Sequence, residues 1–282
     1  MKAYGGLPSK ELRHYAPGQR VVLKGRVRPV VAGEALTLTM LRGGKRVGRA
    51  ARPVRTNGRF AFRMKIGKPG LVRLVVKHAA SAGQVAFKAK SVRIRVVRWS
   101  ASFGARGVKV LLLQRGLKRL GFATPVDGSF GGLTGNAVNA FRKTNGLGNS
   151  DSATRAVYAR VLRRRGAFKL RYPKAGKHVE FDWSRQVIVL ANKGRPYRVI
   201  DTSSGKPSTP TVFGTYRFYL KAPGTNGVGM VHSNYFIGGY AIHGYPSVPN
   251  SPASHGCLRI PTPWAAFVFR WVNIGDRIFL YR

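Results

Sequence analysis

The chain has one cysteine, Cys257, in 282 residues. An intrachain disulfide framework is therefore excluded, and any thiol chemistry belongs to that one position. Acidic residues are scarce too: 8 Asp and Glu stand against 51 Lys and Arg. So few acids leave little room for a calcium cage or for the paired carboxylates of glycoside hydrolysis. Apolar runs never reach the roughly 18 residues that a membrane-spanning helix needs, so the sequence offers no transmembrane segment. The opening stretch, MKAYGGLPSKELRHYAPGQ, lacks the apolar core of a secretory signal. It reads either as the start of a cytosolic protein or as a chain without its natural N-terminus. Hydrophobic residues, at 44%, suffice for packed cores, and the length allows two or three domains.

The formal net charge of +43 points to a polyanion or an anionic surface as partner and carries no information about fold. The charge is uneven. Residues 1–100 hold 24 Lys and Arg against 2 acids, residues 101–176 hold 15 against 2, and residues 177–282 hold 12 against 4. Within the last segment, Ala222 to Leu258 contains no Lys, Arg, Asp or Glu. That uncharged stretch carries His232, His243, His255 and Cys257.

The first hundred residues alternate like half-buried strands. In Arg59–Ile66, Phe60, Phe62, Met64 and Ile66 share one face while Arg59, Ala61, Arg63 and Lys65 share the other. Ala35–Leu41 places Leu36, Leu38 and Met40 together, and Ser91–Val97 places Val92, Ile94 and Val96 together. With Val21–Val27, Leu71–Val76 and Gly-rich turns, residues 1–98 read as an antiparallel, Ig-like β-sandwich. A nucleic-acid binder would interleave aromatics with basic residues on one face. Here the aromatics lie opposite the arginines, as core residues do, so the basic alternation reads as a solvated sheet face and no specific nucleic-acid partner is expected.

After Trp99 the period changes. Val108–Leu120 has helical apolar spacing and Gly121 follows as a C-terminal cap. Thr134 is the expected N-cap of a helix bearing Ala137, Val138 and Phe141. Asp151–Arg165 is the expected third helix, with Arg163, Arg164 and Arg165 complementing its dipole. The ordered set Leu113-Gln114, Leu117, Leu120-Gly121, Val126-Asp127-Gly128, Phe130-Gly131, Thr134, Ala137-Val138, Phe141 and Gly146-Leu147 resembles the small three-helix peptidoglycan-binding domain, assigned here to residues 99–167. Arg142 departs from the family, which usually has Gln after the Phe.

Beyond the Phe168–Gly176 connector the strand pattern returns, over Val179–Trp183, Val187–Leu190, Tyr197–Asp201, Thr215–Leu220, Tyr235–Ile242 and Asp276–Tyr281. One late helix is expected, with Thr262 as N-cap, Pro263 in the first turn and Trp264, Phe267, Val268 and Trp271 on its buried face. Residues 177–282 thus form a mainly β domain, and the whole chain a multidomain, mainly β protein.

If Ser254–Ile260 is extended, His255, Cys257 and Arg259 share a face while Leu258 and Ile260 pack inward. A thiol between imidazole and guanidinium is expected to favour thiolate. The sulfur is then a nucleophile, a histidine moves the proton, and backbone N–H groups near Gly256–Cys257 hold the oxyanion. With no acid nearby in sequence, the group orienting the base is expected to be a backbone carbonyl. Two other readings stand beside this one: Cys257 as a small buried hydrophobe, and a zinc site of His232, His243, His255 and Cys257, whose spacing fits no common zinc pattern.

The pair His243-Gly244 and Ser254-His255-Gly256-Cys257-Leu258-Arg259 resembles the signature of the YkuD-type L,D-transpeptidases. Thr209-Pro210 and Gly214-Thr215-Tyr216 are similar to another segment of that family. The resemblance implies a transpeptidase acting on peptidoglycan stem peptides, with Cys257 as nucleophile forming a thioester and releasing terminal D-Ala before transfer to an amine. It implies His243 as general acid/base, His255 and Gly256 in the oxyanion region, and Arg259, Ser254, Gly244 and Tyr245 as substrate contacts. It implies no metal or organic cofactor. The expected partners are peptidoglycan stem peptides and glycan, with the anionic cell envelope attracting the basic N-terminal half, and the expected location is extracytoplasmic and wall-associated. The alternative is a non-catalytic wall-binding or anchoring protein.

Overall fold

The computed structural model describes residues 1–8, 12–30, 33–81, 85–97 and 100–282. Two compact units divide the chain, Met1–Trp99 and Ser100–Arg282. The expected boundary at residues 98–99 lies outside the described residues.

The first unit is all β. Its strands are β1 (Lys2–Tyr4), β2 (Leu7–Pro8), β3 (Arg13–Tyr15), β4 (Arg20–Arg26), β5 (Ala35–Arg42), β6 (Lys45–Pro53), β7 (Arg59–Lys65), β8 (Gly70–His78), β9 (Phe87–Lys88) and β10 (Val92–Val96). One sheet has the order β1-β4-β7 and the other β2-β3-β10-β8-β5-β6, with β9 added to β8. Val21, Leu23, Phe60 and Phe62 of the small sheet and Leu36, Leu38, Val72, Leu74, Val76 and Ile94 of the large one meet in a single core. A period-2 apolar pattern on both sheets leaves only face-to-face packing to bury it, which gives the expected sandwich. Met40 and Met64 are only partly buried at its edge.

The second unit begins with α1 (Val108–Arg119), α2 (Gly132–Thr144) and α3 (Arg155–Leu162). Gly121, at φ 93°, follows α1 in the left-handed conformation that closes a helix without steric cost. Thr134 is not an N-cap. Gly131 holds that position, and the Thr134 hydroxyl instead accepts from Gln114 Nε2 at 2.9 Å. Gln114 is fully buried; its Nε2 also donates to Asp127 Oδ1 (2.8 Å), and its Oε1 accepts from the Gly128 N–H (2.8 Å). The third helix is shorter than expected because Ala153 pairs with Ala101 through two backbone hydrogen bonds, so the helix starts only after Thr154. Arg142 donates to the Leu147 carbonyl at 2.5 Å and ties down the loop after α2.

The rest of the unit contains two sheets and one helix. The strands are β11 (His178–Asp182), β12 (Val187–Asn192), β13 (Arg195–Asp201), β14 (Gly214–Arg217), β15 (Leu220–Thr225), β16 (Val231–Ile237), β17 (Tyr240–Tyr245), β18 (Leu258–Pro261) and β19 (Arg277–Tyr281), with α4 (Thr262–Trp271). The five-stranded sheet runs β13-β12-β11-β19-β14 and the four-stranded one β15-β16-β17-β18. Two expected strands are each divided. Thr215–Leu220 separates into β14 and β15, which belong to different sheets. Tyr235–Ile242 is a hairpin, because Gly238 takes φ 46° and reverses the chain. The α4 helix starts at Thr262 itself, so Thr262 is not its cap; Pro261 precedes the first turn. Ala265 and Val268 are its buried residues, while Trp264, Phe267 and Trp271 are half-buried.

Glu180 fastens the connector to this domain. Fully buried, it accepts from the backbone N–H groups of Arg171 (3.0 Å) and Tyr172 (2.8 Å) and from the Tyr281 hydroxyl (2.6 Å). Burial alone raises its pKa, but these bonds and that of His178 together hold it below the usual glutamate range.

Candidate active site

In β17 the alternation sets Ala241, His243 and Tyr245 on one face. The neighbouring β18 pairs with it in parallel, Ile242 opposite Leu258 and His243 opposite Arg259. His243 and Arg259 therefore sit side by side. The Arg259 guanidinium lies 4.0 Å from the centre of the Tyr245 ring, and that ring meets the His243 imidazole edge to face at 5.8 Å. Cys257 immediately precedes β18. Its Sγ approaches the Gly239 carbonyl at 3.5 Å and takes a backbone hydrogen bond from Ala241, two residues before His243.

His243 Nδ1 lies 2.9 Å from the Gly244 carbonyl oxygen. A carbonyl can only accept, so Nδ1 carries the proton and Nε2 keeps a lone pair. The group that orients this histidine is thus a backbone carbonyl, as the shortage of acids suggests. Burial lowers the His243 pKa and the nearby Arg259 charge lowers it further, against the opposing Gly244 bond. The imidazole is accordingly neutral at neutral pH.

The thiol behaves differently from the electropositive expectation. Burial raises the Cys257 pKa above the ordinary thiol value, and the opposing pulls of the Ala241 N–H and Arg259 do not offset it. The resting pair is a protonated thiol and a neutral imidazole.

Ser254–Cys257 is not extended. Ser254 forms an isolated bridge with Gly205, residues 255–257 are a bend, and β18 begins only at Leu258. The Ser254 Oγ donates to the Cys257 carbonyl at 2.6 Å and accepts from the Gly256 N–H at 3.1 Å. Gly256 has φ 114°, and a Cβ there would stand 2.4 Å from the Tyr240 ring, so both conformation and space require glycine. The bend breaks the period-2 argument: His255 is exposed and does not share a buried face with Cys257 and Arg259. Ser254, only 1% exposed, is a clamp inside the turn. The Gly256 N–H, already bonded to Ser254, is not a free oxyanion donor. Gly244 is also structural, since a Cβ there would lie 2.6 Å from the Ala265 Cβ of α4.

A second segment, Ser203–Thr211, wraps this turn, and only Thr209-Pro210 of it was singled out from sequence. The Ser204 carbonyl accepts from Ala253 N–H (2.8 Å) and Ser254 N–H (3.0 Å). Thr209 Oγ1 donates to the Ser254 carbonyl (3.1 Å), and Thr211 Oγ1 donates to the Gly256 carbonyl (2.6 Å). Gly205 comes so close that a Cβ would lie 2.8 Å from Gly256 Cα. The available signal was the run of small residues Thr202-Ser203-Ser204-Gly205. His232 stands apart on β16, where Nδ1 accepts from the Gly224 N–H at 3.1 Å and the ring packs on Phe269. Among the described residues, no group of three or more His, Cys, Asp or Glu is close enough to hold a metal ion.

Comparison with known proteins places this fold and constellation. Residues 176–280 match the family model of the L,D-transpeptidase catalytic domain, and residues 106–157 match that of a peptidoglycan-binding domain. An L,D-transpeptidase from Xylanimonas cellulosilytica, known from its crystal structure, is 32% identical over 66% of this chain and 98% of that chain, with a TM-score of 0.62. More distant are L,D-transpeptidases from Stackebrandtia nassauensis (20% identity, 64% of this chain and 95% of that chain, TM-score 0.41) and Mycobacterium tuberculosis (19%, 38% and 58%, TM-score 0.36). A comparison with curated proteins returns no match. The chain belongs to the L,D-transpeptidase family.

The electrostatics predict a pH profile for alkylation of Cys257 by iodoacetamide. Because the thiol is raised and His243 is lowered, the rate should climb only above the ordinary thiol range, about pH 8.5, with no plateau at lower pH. Removing the cation in Arg259→Met should move both the cysteine and the histidine inflections upward. A thiolate plateau persisting to about pH 6 would show an ion pair instead and contradict this arrangement.

Proposed function

We propose that this L,D-transpeptidase works through a Cys257 thioester. His243 Nε2 takes the Cys257 proton as the sulfur attacks the carbonyl of the third residue of a stem peptide. The same proton returns to the amine of the departing terminal D-Ala as the C–N bond breaks. An acceptor amine then attacks the thioester, gives a proton to His243 and releases the thiolate, which recovers that proton. The observation that carries this reading is the pairing of β17 with β18, which sets a base fixed by Gly244 beside Arg259, on the strand that directly follows Cys257.

The other roles follow from what each group has free. With the Gly256 N–H held by Ser254, oxyanion stabilisation is assigned to the Cys257 amide. Arg259 Nε is buried without a hydrogen-bond partner among the described residues, so the guanidinium is assigned to a substrate carboxylate, with Tyr245 backing it. His255, being exposed, is assigned a contact at the rim. Acting on peptidoglycan, the protein would work outside the cytoplasmic membrane. No helix among the described residues is long and apolar enough to cross one.

The anionic envelope is the partner proposed for the N-terminal unit. Lys2 stands opposite Lys24, Arg26 opposite Arg59 and Arg20 opposite Lys65 across β1-β4-β7. Like charges directly opposite one another destabilise a sheet, and a bound polyanion would relieve the repulsion. A groove of about 650 Å³ runs between Lys2, Lys24, Arg26, Arg55, Arg59 and Arg63.

An inert anchoring protein is the second reading, favoured by the protonated resting thiol. Intact mass after incubation with a carbapenem separates the two. The expected result is one covalent adduct, absent in Cys257→Ala and formed at least roughly a hundredfold more slowly in His243→Ala, the scale of general-base catalysis. An unmodified wild type supports the inert reading, and an adduct surviving in Cys257→Ala contradicts the assignment. Binding of the full chain to purified sacculi should weaken steeply as salt rises; binding indifferent to salt removes the role of the basic sheet.

A further inference from the structure

The helical module and the catalytic sheets belong to one compact unit. A buried polar network runs from its helix α2 into the active-site turn. Lys143 Nζ pairs with Asp201 Oδ1 at 2.5 Å, with the two side chains 4% and 1% exposed. Lys143 also donates to the Gln186 carbonyl at 2.9 Å. One turn earlier on α2, Asn139 Nδ2 donates to Asp201 Oδ2 (3.0 Å) and to Asn250 Oδ1 (2.5 Å). Asn139 Oδ1 accepts from the Ser150 N–H at 3.0 Å, so the amide group is oriented from both ends.

Two routes lead on to the cysteine. Asn250 sits in the loop between His243 and Cys257, and the next residue's carbonyl, that of Ser251, accepts from Ser203 Oγ at 2.7 Å. By the second route, Gln186 Oε1 accepts from the Ser204 N–H (2.9 Å), and the Ser204 carbonyl accepts from the Ser254 N–H (3.0 Å). Ser254 is the residue that clamps Cys257. A backbone pairing reinforces the docking: Ala123 N–H donates to the Val199 carbonyl at 2.9 Å, and Val199 N–H donates to the Gly121 carbonyl at 2.8 Å.

A tether would not need this. An isolated buried ion pair is costly, and breaking one partner leaves an uncompensated charge. A polar network this deep acts instead as a register device between two packed bodies. We propose that Asn139 and Lys143 of the helical module are positioning residues for the transpeptidase reaction, holding the Asn250 loop and, through Gln186 and Ser204, the turn that presents Cys257. This inference rests on the acyl-transfer reading of Cys257. The module would then be a part of the active-site scaffold as well as a wall-binding element, and substrate held on it would meet the cysteine in a fixed register.

The test is the rate and affinity of carbapenem acylation, measured on the whole 282-residue chain by intact mass. Asn250 is exposed, so Asn250→Ala should fold like the wild type. Asn139→Ala, Asn250→Ala and their double variant should each lower the maximal acylation rate by about three- to tenfold, the scale of one lost hydrogen bond. The apparent affinity should stay within about twofold of wild type, because the substrate contacts are untouched. The double variant should be no slower than the worse single, because both changes remove one shared link. Lys143→Arg should retain more of the rate than Lys143→Met. Acylation by Asn250→Ala and by a folded Asn139→Ala at the wild-type rate would overturn the inference while leaving the acyl-transfer reading intact. Simple multiplication of the two single effects would also overturn the shared link. A wild type that is not acylated at all would overturn both.

Discussion

The active site depends on one hydroxyl. Ser254 Oγ closes the turn that carries Cys257 by bonding the Cys257 carbonyl and the Gly256 N–H together. The turn in turn requires the positive φ of Gly256, and it leaves no room for a Cβ against Tyr240. From that closure follow the entry of β18 beside β17, the placement of Arg259 opposite His243, and the sulfur near the Ala241 amide. Thr209, Thr211 and the Ser204 carbonyl then brace the outside of the same turn. Few backbone groups of the bend are left to solvent, which suits a nucleophile that must be presented in one orientation.

Burial does opposite things to the two reacting groups. It raises the thiol and lowers the imidazole, so both rest uncharged. Two neutral groups avoid the desolvation cost of an internal ion pair. In the proposed mechanism, proton transfer from sulfur to His243 would be coupled to attack instead of preceding it, and a base of lowered pKa would stay available at neutral and mildly acidic pH. Arg259 stands near both groups, and its charge lowers both pKa values, opposing burial at the thiol and adding to it at the imidazole.

Much of the architecture was legible in the sequence. Period-2 runs such as Arg59–Ile66 give the sandwich, since alternation leaves each strand one face to bury. The three helices were visible in Val108–Leu120 and in the ordered core positions that follow. What escaped was local chemistry. The hairpin at Gly238–Gly239 looks like one strand in the sequence because apolar residues continue on both sides of it. Thr134 and Thr262 look like caps by residue type, but Gln114 takes the first as a tertiary partner, and the second is already inside its helix, with Pro261 ahead of it. At the site, His243, Tyr245, Arg259 and Cys257 are drawn together, while His255 is not. Alternation placed His255 with Cys257, and the glycine that breaks the alternation sits between them. In the Ser203–Thr211 brace Thr209 meets Ser254, 45 positions away, and in the α2 network Asn139 meets Asn250, 111 positions away, separations that no local pattern reveals.

Ser254, a residue that touches no reacting atom, is therefore decisive for the proposed chemistry at Cys257. The most direct measurement is the carbapenem acylation rate of Ser254→Ala, taken at a temperature where circular dichroism shows the variant folded. The account predicts a loss of roughly tenfold or more, because two buried backbone groups lose their partner and the turn no longer fixes the sulfur. A folded Ser254→Ala protein that acylates at the wild-type rate would contradict it.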